Sequence, residues 1–191
     1  MGRVNNKVAL VTGGASGVGK ETVELLLKEG AYVAFGDIDV QAGEALAKAC
    51  GERALFLRHD VSNEAEWQEV IAKVQAHFGP LDILINNAGI LLPGSIETAT
   101  LAQFRQLMQV NADSCFLGCQ QGIAAMKERG GSIVNMASVS TWLPIEGYAG
   151  YSASKAAVAA LTRASALYCR KNGLAIRVNS LHPDGIYTPM M

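Results

Sequence analysis

A glycine-rich turn between an apolar run and a helical pattern limits what this chain can fold into more than any other feature. The apolar run Val8-Ala9-Leu10-Val11 leads directly into Thr12-Gly13-Gly14-Ala15-Ser16-Gly17-Val18-Gly19, and a helical pattern extends from Lys20 to Glu29. A buried strand, a glycine turn and a helix form the first part of a dinucleotide-binding unit, since glycines let the backbone approach a pyrophosphate at the helix N-terminus. The spacing T-G-x-x-x-G-x-G differs from the usual G-x-G-x-x-G fingerprint. A tight turn that binds nothing is the alternative interpretation.

A carboxylate follows the second apolar run at the position of a ribose ligand. The run Tyr32 to Phe35 ends in Gly36-Asp37, and such a carboxylate about 20 residues beyond the glycine turn accepts hydrogen bonds from the adenosine ribose hydroxyls. It would also repel the additional phosphate of NADP. Ile38 follows, and neither Ala15 nor Ser16 supplies a cation for that phosphate, so the sequence predicts NAD. Asp37 could alternatively, or in addition, cap the helix that follows it.

Apolar runs alternate with helical patterns along the whole chain. Strands are predicted at Val8 to Val11, Tyr32 to Phe35, Ala54 to Leu57, Leu81 to Ile85, Ile133 to Met136 and Ile176 to Asn179. Further helices are predicted near Gln41 to Ala49, Glu64 to Phe78, Leu101 to Glu128 and Ala149 to Lys171, with Asn63/Glu66 and Thr100/Gln103 as N-terminal caps. Most of these strands are apolar on both faces, as expected when helices cover each side of a parallel sheet. The prediction is an α/β fold: a Rossmann-like, doubly wound parallel sheet with three α/β/α layers.

Length, charge and cysteine content narrow the class of protein. The 191 residues are half apolar, which suits one domain, residues 1–191, without stabilising metals or disulfides. A formal charge of −1 gives no basic footprint for nucleic acid, and the absence of a signal sequence or membrane-length apolar run predicts a soluble, cytoplasmic protein. The cysteines lie at no metal-ligand spacing, which predicts buried reduced thiols and no metal: Cys50, Cys115, Cys119 and Cys169. A redox switch between the two that share a helix face, Cys115 and Cys119, is the less favoured alternative.

A tyrosine and a lysine four residues apart carry the chemistry of the C-terminal half. Tyr151 and Lys155 share one face of a predicted helix. A phenol with a pKa of about 10 is a poor base at neutral pH unless a nearby cation stabilises its phenolate. Lys155 is placed to be that cation and is predicted to lower the pKa of Tyr151. An ordinary surface pair is the alternative, and the glycine turn upstream argues against it.

Ser138 lies just beyond the fifth predicted strand. Ligands of open α/β sheets bind at this carboxyl edge, so a hydroxyl there could hold a substrate carbonyl. A loop serine that bonds its own backbone is the alternative.

The motifs together resemble the short-chain dehydrogenase/reductase family. The matching segments occur in the family's order over essentially the whole chain: Thr12 to Gly19, Asp60-Val61, Asn86 to Gly89, Asn111, Ser138, Tyr151-x-x-x-Lys155 and Pro183 to Thr188. The resemblance implies hydride exchange with nicotinamide, Tyr151 as general acid/base and Ser138 as the group that positions the reacting oxygen. It gives Lys155 a further task, a hydrogen bond to the nicotinamide ribose. It implies that Asn111 holds a water in a proton relay, and a helix-interior asparagine bonded to nearby backbone is the alternative.

The resemblance also implies a set of binding residues. Those for the cofactor are Gly13, Ser16, Gly17, Val18, Gly19, Asp37, Ile38, Asp60, Val61, Asn87, Ala88, Gly89, Tyr151, Lys155, Pro183, Ile186 and Thr188. An aspartate after a strand, such as Asp60, is often only a turn residue. Apolar and aromatic residues around the catalytic segments suit a large hydrophobic substrate, and the predicted substrate residues are Ser138, Tyr151, Leu91, Trp142 and Tyr148.

Three segments resemble the bacterial 3β/17β-hydroxysteroid dehydrogenases within that family: Ile90 to Gly94, Gly118 to Lys127 and Ser138 to Glu146. The resemblance therefore implies a steroid alcohol or ketone as substrate. It also implies a homodimer or homotetramer, with the helices at Leu101 to Glu128 and Ala149 to Lys171 in one contact surface. A non-steroid alcohol is the alternative substrate.

The sequence departs from the family pattern in two places. Asp184 stands where most relatives carry glycine, and the glycine follows one residue later. The sequence ends at Met190-Met191, before the last helix and edge strand of the family domain. If that part is absent from the protein, cofactor binding is expected to survive better than turnover. An NAD-binding module without turnover, acting as a sensor or interaction partner, is therefore the alternative to an enzyme.

Overall fold

The computed structural model of the chain describes residues 2–187. Six strands form one parallel sheet: β1 Val8–Thr12, β2 Tyr32–Asp37, β3 Ala54–Arg58, β4 Ile83–Asn86, β5 Gly131–Met136 and β6 Ile176–Leu181. Their order across the sheet is β3-β2-β1-β4-β5-β6. The chain therefore reverses its direction of winding between β1 and β4, and a crevice opens there at the carboxyl ends of the strands.

Six α-helices connect or flank the strands: α1 Gly17–Lys28, α2 Val40–Cys50, α3 Glu64–Phe78, α4 Leu101–Leu107, α5 Ser114–Met126 and α6 Ala149–Lys171. A single 3₁₀ turn, Val139–Thr141, follows β5. All six predicted strands are confirmed, with ends that shift by one or two residues, and α3 and α6 begin and end where the sequence placed them.

The sheet separates two hydrophobic clusters, so helices cover both of its faces. Alternate residues of β1 enter different clusters: Val8 and Leu10 lie in the cluster that includes α3, α5 and α6, whereas Ala9 and Val11 lie in the cluster of α1 and α2. Each of these four side chains is at most 4% exposed. Burial on both sides explains why the strands are apolar throughout, and the predicted three-layer α/β/α fold is confirmed.

The predicted continuous helix from Leu101 to Glu128 is wrong in one respect. A π-helical segment, Met108–Asp113, separates α4 from α5, and α5 ends at Met126. A π turn contains one more residue than an α turn, and such turns occur mostly at functional sites. Periodicity does not reveal it because the apolar residues on both sides still follow a helical pattern. The segment carries Asn111, whose side chain is buried.

Only one of the two predicted N-terminal caps forms a reciprocal capping box. At α4 the Thr100 side chain accepts from the amide of Gln103, and the Gln103 side chain accepts from the amide of Thr100. At α3 the Asn63 side chain accepts from Ala65 N, but the Glu66 carboxylate accepts from Asp60 N instead of Asn63 N. Glu66 therefore braces the loop after β3, which is part of the site described below.

The cysteine prediction needs one correction. Cys115, Cys119 and Cys169 are buried free thiols, whereas Cys50 at the end of α2 is partly exposed. Cys50 is the last residue of α2, and the strand that follows it, β3, is at the edge of the sheet. Between residues 2 and 187, no helix is both long enough and apolar enough to cross a bilayer.

Candidate active site

A cleft of about 930 Å³ opens at the carboxyl edge of the sheet, beside the reversal between β1 and β4. Each predicted cofactor residue that the structure describes lines this cleft. Thr188 lies outside the described residues. Ser138, Tyr151 and Lys155 line the same cleft, so residues far apart in sequence meet at one place.

The glycine loop has the geometry of an anion cradle. Gly13 and Gly17 have positive φ angles of 62° and 50°, which residues other than glycine rarely adopt. A Cβ on Gly19 would collide with the carbonyl oxygen of Gly13, so the helix can approach the loop this closely only with glycine there. Ser16 precedes α1 and makes no side-chain capping bond. The first amides of α1 thus stay available, and the loop fits the pyrophosphate of a dinucleotide.

The segment after β4 fastens this loop. The Thr12 hydroxyl accepts from the amides of Asn87 and Ala88 at 3.0 and 3.1 Å. The side-chain amide of Asn87 donates to the carbonyl oxygens of Thr12 and Gly13 at 2.9 and 3.1 Å. Asn87 was predicted to contact the cofactor, and in the structure its amide group holds the glycine loop against β4.

Asp37 ends β2 with its carboxylate beside the glycine loop. One carboxylate oxygen accepts from Ala15 N at 3.0 Å and the other from Asp39 N at 3.1 Å. The alternative role of Asp37 as the cap of the next helix is wrong, because Asp39 caps α2 by accepting from Ala42 N at 3.0 Å. Ile38 beside it is 69% exposed. The position of the carboxylate is thus fixed by two backbone amides, one on the loop that would hold the pyrophosphate and one just after β2.

The loop after β3 forms the next part of the cleft wall. The Asp60 carboxylate accepts from the amide and hydroxyl of Ser62 at 3.0 and 2.7 Å, and these bonds lower its pKa. The carbonyl oxygen of Val61 accepts from the indole nitrogen of the buried Trp67 at 2.9 Å. Asp60 is therefore a turn residue, as its alternative interpretation held, and it also lines the cleft with Val61.

Ser138 lies just beyond the end of β5, before the 3₁₀ turn, with a buried side chain. Its hydroxyl oxygen accepts from the amide of Ser140 at 3.2 Å. The serine bonds its own local backbone, as the alternative interpretation held, and it lines the cleft with Tyr151 as well. The hydroxyl oxygen is the acceptor in that local bond, so the hydroxyl proton can be donated to an oxygen in the cleft.

Tyr151 lies in the first turn of α6, and Lys155 lies one turn further along. Burial raises the pKa of the Tyr151 phenol, and the Ser138 side chain opposes that rise. The expectation that Lys155 lowers this pKa is wrong for the structure as it stands. The ammonium nitrogen of Lys155 lies 5.7 Å from the centroid of the Tyr151 ring and donates to the carbonyl oxygen of Met136 at 2.7 Å. Burial lowers the pKa of Lys155 to about 8.

Asn111 joins the segment after β4 to α6. Its side chain accepts from Ile90 N at 2.8 Å and donates to Ile90 O at 2.9 Å and to the Ser154 hydroxyl at 3.0 Å. Ser154 in turn donates to the carbonyl oxygen of Tyr151 at 2.7 Å. The alternative of an asparagine bonded to nearby backbone holds in part: both backbone bonds go to Ile90, 21 residues away in the sequence, because the π turn directs the side chain to another segment. Its predicted place in a proton relay stays a prediction.

The predicted substrate residues fall into two groups. Leu91 and Tyr148 line the cleft, whereas Trp142 does not. The indole ring of Trp142 packs instead on His182, with 5.6 Å between ring centroids, and beneath the guanidinium of Arg163 at 5.9 Å. The 3₁₀ turn after Ser138 directs the Trp142 side chain to the outer side of the cleft wall. The spacing of residues in the sequence does not indicate this direction.

Other residues of the cleft were not identified from the sequence as site residues: His59, Pro93, Gln106, Gln109, Val110 and Met136. Three of them have the i, i+3, i+4 spacing of one helix face, a signal from which the sequence could have placed them together: Gln106, Gln109 and Val110. The others come from strand ends and loops and share no local pattern. Asp184, which replaces the family's glycine, also lines the cleft, and its carboxylate accepts from Gly185 N at 2.8 Å.

The cleft therefore combines a glycine loop with the geometry of an anion cradle, the Tyr151 phenol, the Ser138 hydroxyl and the buried Lys155. A family model described as short chain dehydrogenase matches residues 7–191. The chain is 69% identical over 189 residues to the 3-beta-hydroxysteroid dehydrogenase of Comamonas testosteroni. The alignment covers 99% of this chain and 74% of that relative.

Two more distant relatives differ in the substrate that their names give. Identity is 41% over 190 residues to the 3-alpha-(or 20-beta)-hydroxysteroid dehydrogenase of Mycobacterium tuberculosis (99% of this chain, 72% of the relative). It is 37% over 193 residues to the NADP-dependent (R)-specific alcohol dehydrogenase of Lentilactobacillus kefiri (99% and 77%). Fold, site and similarity agree, and the chain belongs to the short-chain dehydrogenase family.

Proposed function

We propose that the chain is an NAD-dependent oxidoreductase that interconverts a hydrophobic secondary alcohol and its ketone, with a 3β- or 17β-hydroxysteroid as substrate. The observation that carries the proposal is the presence of Ser138, Tyr151 and Lys155 in one cleft with the glycine cradle. A module that only binds nucleotide needs no proton donor in that position, so this arrangement favours an enzyme over the binding-only alternative. Bound nicotinamide would supply or accept the hydride.

Tyr151 exchanges the proton in this proposal. Its raised pKa keeps the phenol protonated at neutral pH, which suits donation to the oxygen of a ketone that is being reduced. In the opposite direction the phenolate must form first. The Ser138 hydroxyl donates a second hydrogen bond to the same oxygen and stabilises the charge that develops there.

Lys155 supplies a buried positive charge near the reacting groups. Its ammonium carries a proton below its pKa of about 8. A Cβ on Gly89 would lie 3.3 Å from that ammonium nitrogen, so the glycine keeps this side of the lysine open to the cleft. We assign Lys155 to the nicotinamide ribose. Asn111 holds the backbone around Tyr151 through Ser154, and its part in a water-mediated relay belongs to the same proposal.

NAD is the proposed form of the cofactor. The Asp37 carboxylate is fixed on the glycine loop by Ala15 N, where a negative charge would repel a phosphate on the adenosine ribose. The residues that would hold the dinucleotide are those of the glycine loop, Asp37, Ile38, the Asp60-Val61 turn and the segment Asn87 to Gly89.

A steroid substrate is supported by the walls of the cleft and by the relatives. The cleft that holds Tyr151 is also lined by apolar and aromatic residues, which offer surface to a flat hydrophobic ligand: Ile90, Leu91, Ile145, Tyr148 and Ile186. Two of the relatives described above carry hydroxysteroid dehydrogenase in their names. A small polar alcohol would leave most of this surface without a partner.

We also propose that residues 1–191 form one dinucleotide-binding catalytic domain, that the chain forms a homodimer or homotetramer, and that it works in the cytoplasm. Exposed aromatic rings on the helices support the self-association. Phe104 on α4, Phe116 on α5 and Tyr168 on α6 are 39%, 48% and 52% exposed. A light-scattering mass equal to the monomer would argue against the oligomer.

The experiment that tests the function measures NADH formation with 3β- and 17β-hydroxysteroids and with a small secondary alcohol. The Tyr151→Phe variant serves as the control because it keeps the ring and removes only the hydroxyl. Steroid-dependent turnover that the variant lacks would support the proposal. Tight NAD binding without turnover on any alcohol would favour the binding-only alternative, and turnover on the small alcohol alone would overturn the steroid assignment.

A further inference from the structure

Three hydrogen bonds join the segment around Ser138 to the chain that continues from β6. Ala137 N donates to Leu181 O at 2.8 Å, and Val139 N donates to Pro183 O at 2.9 Å. Between them, Nδ1 of His182 lies 3.1 Å from the carbonyl oxygen of Ser138. The outer two bonds are between backbone groups, which any sequence could supply. The central one alone needs a particular side chain.

The imidazole of His182 is held at both of its nitrogens. Its Nε2 lies 2.9 Å from the hydroxyl of Ser180. A carbonyl oxygen only accepts hydrogen bonds, so Nδ1 carries a proton and donates to Ser138. In the neutral ring Nε2 is then the acceptor of the Ser180 hydroxyl proton. Rotation of the ring would break both bonds.

The face of the same ring is covered from outside. Trp142 packs against His182 at 5.6 Å between centroids with an interplanar angle of 31°. The guanidinium of Arg163 lies 5.9 Å from the centroid of the Trp142 ring. Trp142 therefore covers one face of the His182 ring, although Trp142 itself is 62% exposed.

The position of the Ser138 hydroxyl depends on this arrangement. The hydroxyl oxygen accepts from Ser140 N at 3.2 Å. In the same turn the Ser138 carbonyl oxygen accepts from Thr141 N at 3.0 Å and from Nδ1 of His182, and the histidine is the one side-chain donor of the two. A change in the orientation of the Ser138 carbonyl would turn the peptide unit and move the hydroxyl relative to Tyr151. Misplacement of a positioning group by about 1 Å can reduce turnover by about 100-fold.

We propose that His182 is a positioning residue for the reaction: its Nδ1–H fixes the Ser138 carbonyl and thereby orients the Ser138 hydroxyl toward the reacting oxygen. The inference rests on the proposed role of Ser138. It assigns His182 no contact with the reacting atoms. It also gives Trp142 a structural role in place of the substrate contact that the sequence predicted.

The test compares His182→Asn with His182→Gln. The asparagine amide can place an N–H near the position of Nδ1, whereas the longer glutamine side chain places its amide near the position of Nε2 and leaves the Ser138 carbonyl without that donor. We expect kcat for steroid oxidation to fall about 10-fold to 100-fold in the glutamine variant and to stay within about 3-fold of wild type in the asparagine variant. The Kd for NAD is expected to be unchanged in both. If His182 had a merely structural role, the two variants would lose thermal stability to the same extent and would not differ in kcat.

Further variants separate the possible failures. If Ser138→Ala leaves turnover intact, the proposed role of Ser138 fails, and the inference fails with it. If Ser138→Ala stops turnover while the two His182 variants have equal kcat, only the inference fails. Should neither His182 variant fold, Trp142→Ala replaces them, because this side chain is mostly exposed. A fall in its kcat with unchanged NAD binding supports the inference, and an unchanged kcat overturns it.

Discussion

The ammonium nitrogen of Lys155 lies 2.7 Å from the carbonyl oxygen of Met136, the last residue of β5. The lysine is only 4% exposed, and that carbonyl oxygen is the one protein acceptor found for its ammonium in the described part of the chain. A buried cation with so little compensation costs folding free energy. This cost is consistent with a lysine that is retained for chemistry and not for stability.

Replacement of Lys155 by methionine is expected to change how stability depends on pH. The lysine has a pKa of about 8 in the folded chain and an ordinary value of 10.5, so between these values the unfolded chain binds more protons. The free energy of unfolding of wild type relative to Lys155→Met therefore rises by about 3 kcal/mol as pH increases through that window. Urea unfolding below, within and above the window measures it, and a constant difference would contradict a depressed pKa.

Tyr151→Phe is expected to lose about 100-fold to 10,000-fold in kcat, the usual contribution of a general acid or base. The phenyl ring preserves the packing of the first turn of α6, so the Kd for NADH is expected to stay within about 3-fold. Because burial raises the pKa of Tyr151, the rate of alcohol oxidation in wild type is expected to climb with pH above neutrality. An oxidation rate that falls over this range would argue against Tyr151 as the base.

Asp37→Ala is expected to improve the use of NADPH relative to NADH by about 10-fold or more, since each 1.4 kcal/mol of removed repulsion changes a binding constant tenfold. Asp39→Ala is the matched control, because Asp39 lies two residues further along and caps α2. That variant is expected to lose about 1 kcal/mol of stability and to keep the cofactor preference. Steady-state kinetics with both cofactors decide the matter. An equal shift in the two variants would place the discrimination elsewhere.

His59 is expected to make the folded chain sensitive to mild acid. Both ring nitrogens are buried, and neither has a hydrogen-bond partner among residues 2–187; burial lowers the pKa from 6.5 to about 4. The unfolded chain then binds more protons between these values, so stability rises with pH across that range. We expect the free energy of unfolding to rise by up to about 3 kcal/mol more in wild type than in His59→Phe.

The phenylalanine in that variant retains an aromatic edge for Trp67, whose ring lies 4.6 Å from that of His59. Guanidinium unfolding at several pH values provides the comparison. Parallel pH profiles for the two proteins would mean that His59 is protonated, or solvated, in the folded chain.

Much of the architecture follows from residues that are close in sequence. The strand, glycine turn and helix from Val8 to Lys28 depend on local preferences: apolar runs for a covered sheet, and glycines where φ is positive or where no Cβ fits. The same holds for the Thr100 capping box and for Tyr151 and Lys155 on one helix face. Such features involve neighbours within a few residues, so the sequence alone determined them. The sequence also determined the order of strands and helices along the chain and the family.

The tertiary structure decided what depends on the register between distant segments. β5 pairs with β6 so that Met136 lies opposite Leu181, and this register brings Ser138 to His182 and directs Trp142 away from the cleft. The π turn buries Asn111 against Ile90, and the depth of α6 below the cleft sets the burial that shifts the pKa values of Tyr151 and Lys155. Desolvation and contacts across the sheet depend on atoms far apart in the chain. No local pattern of residues contains that information.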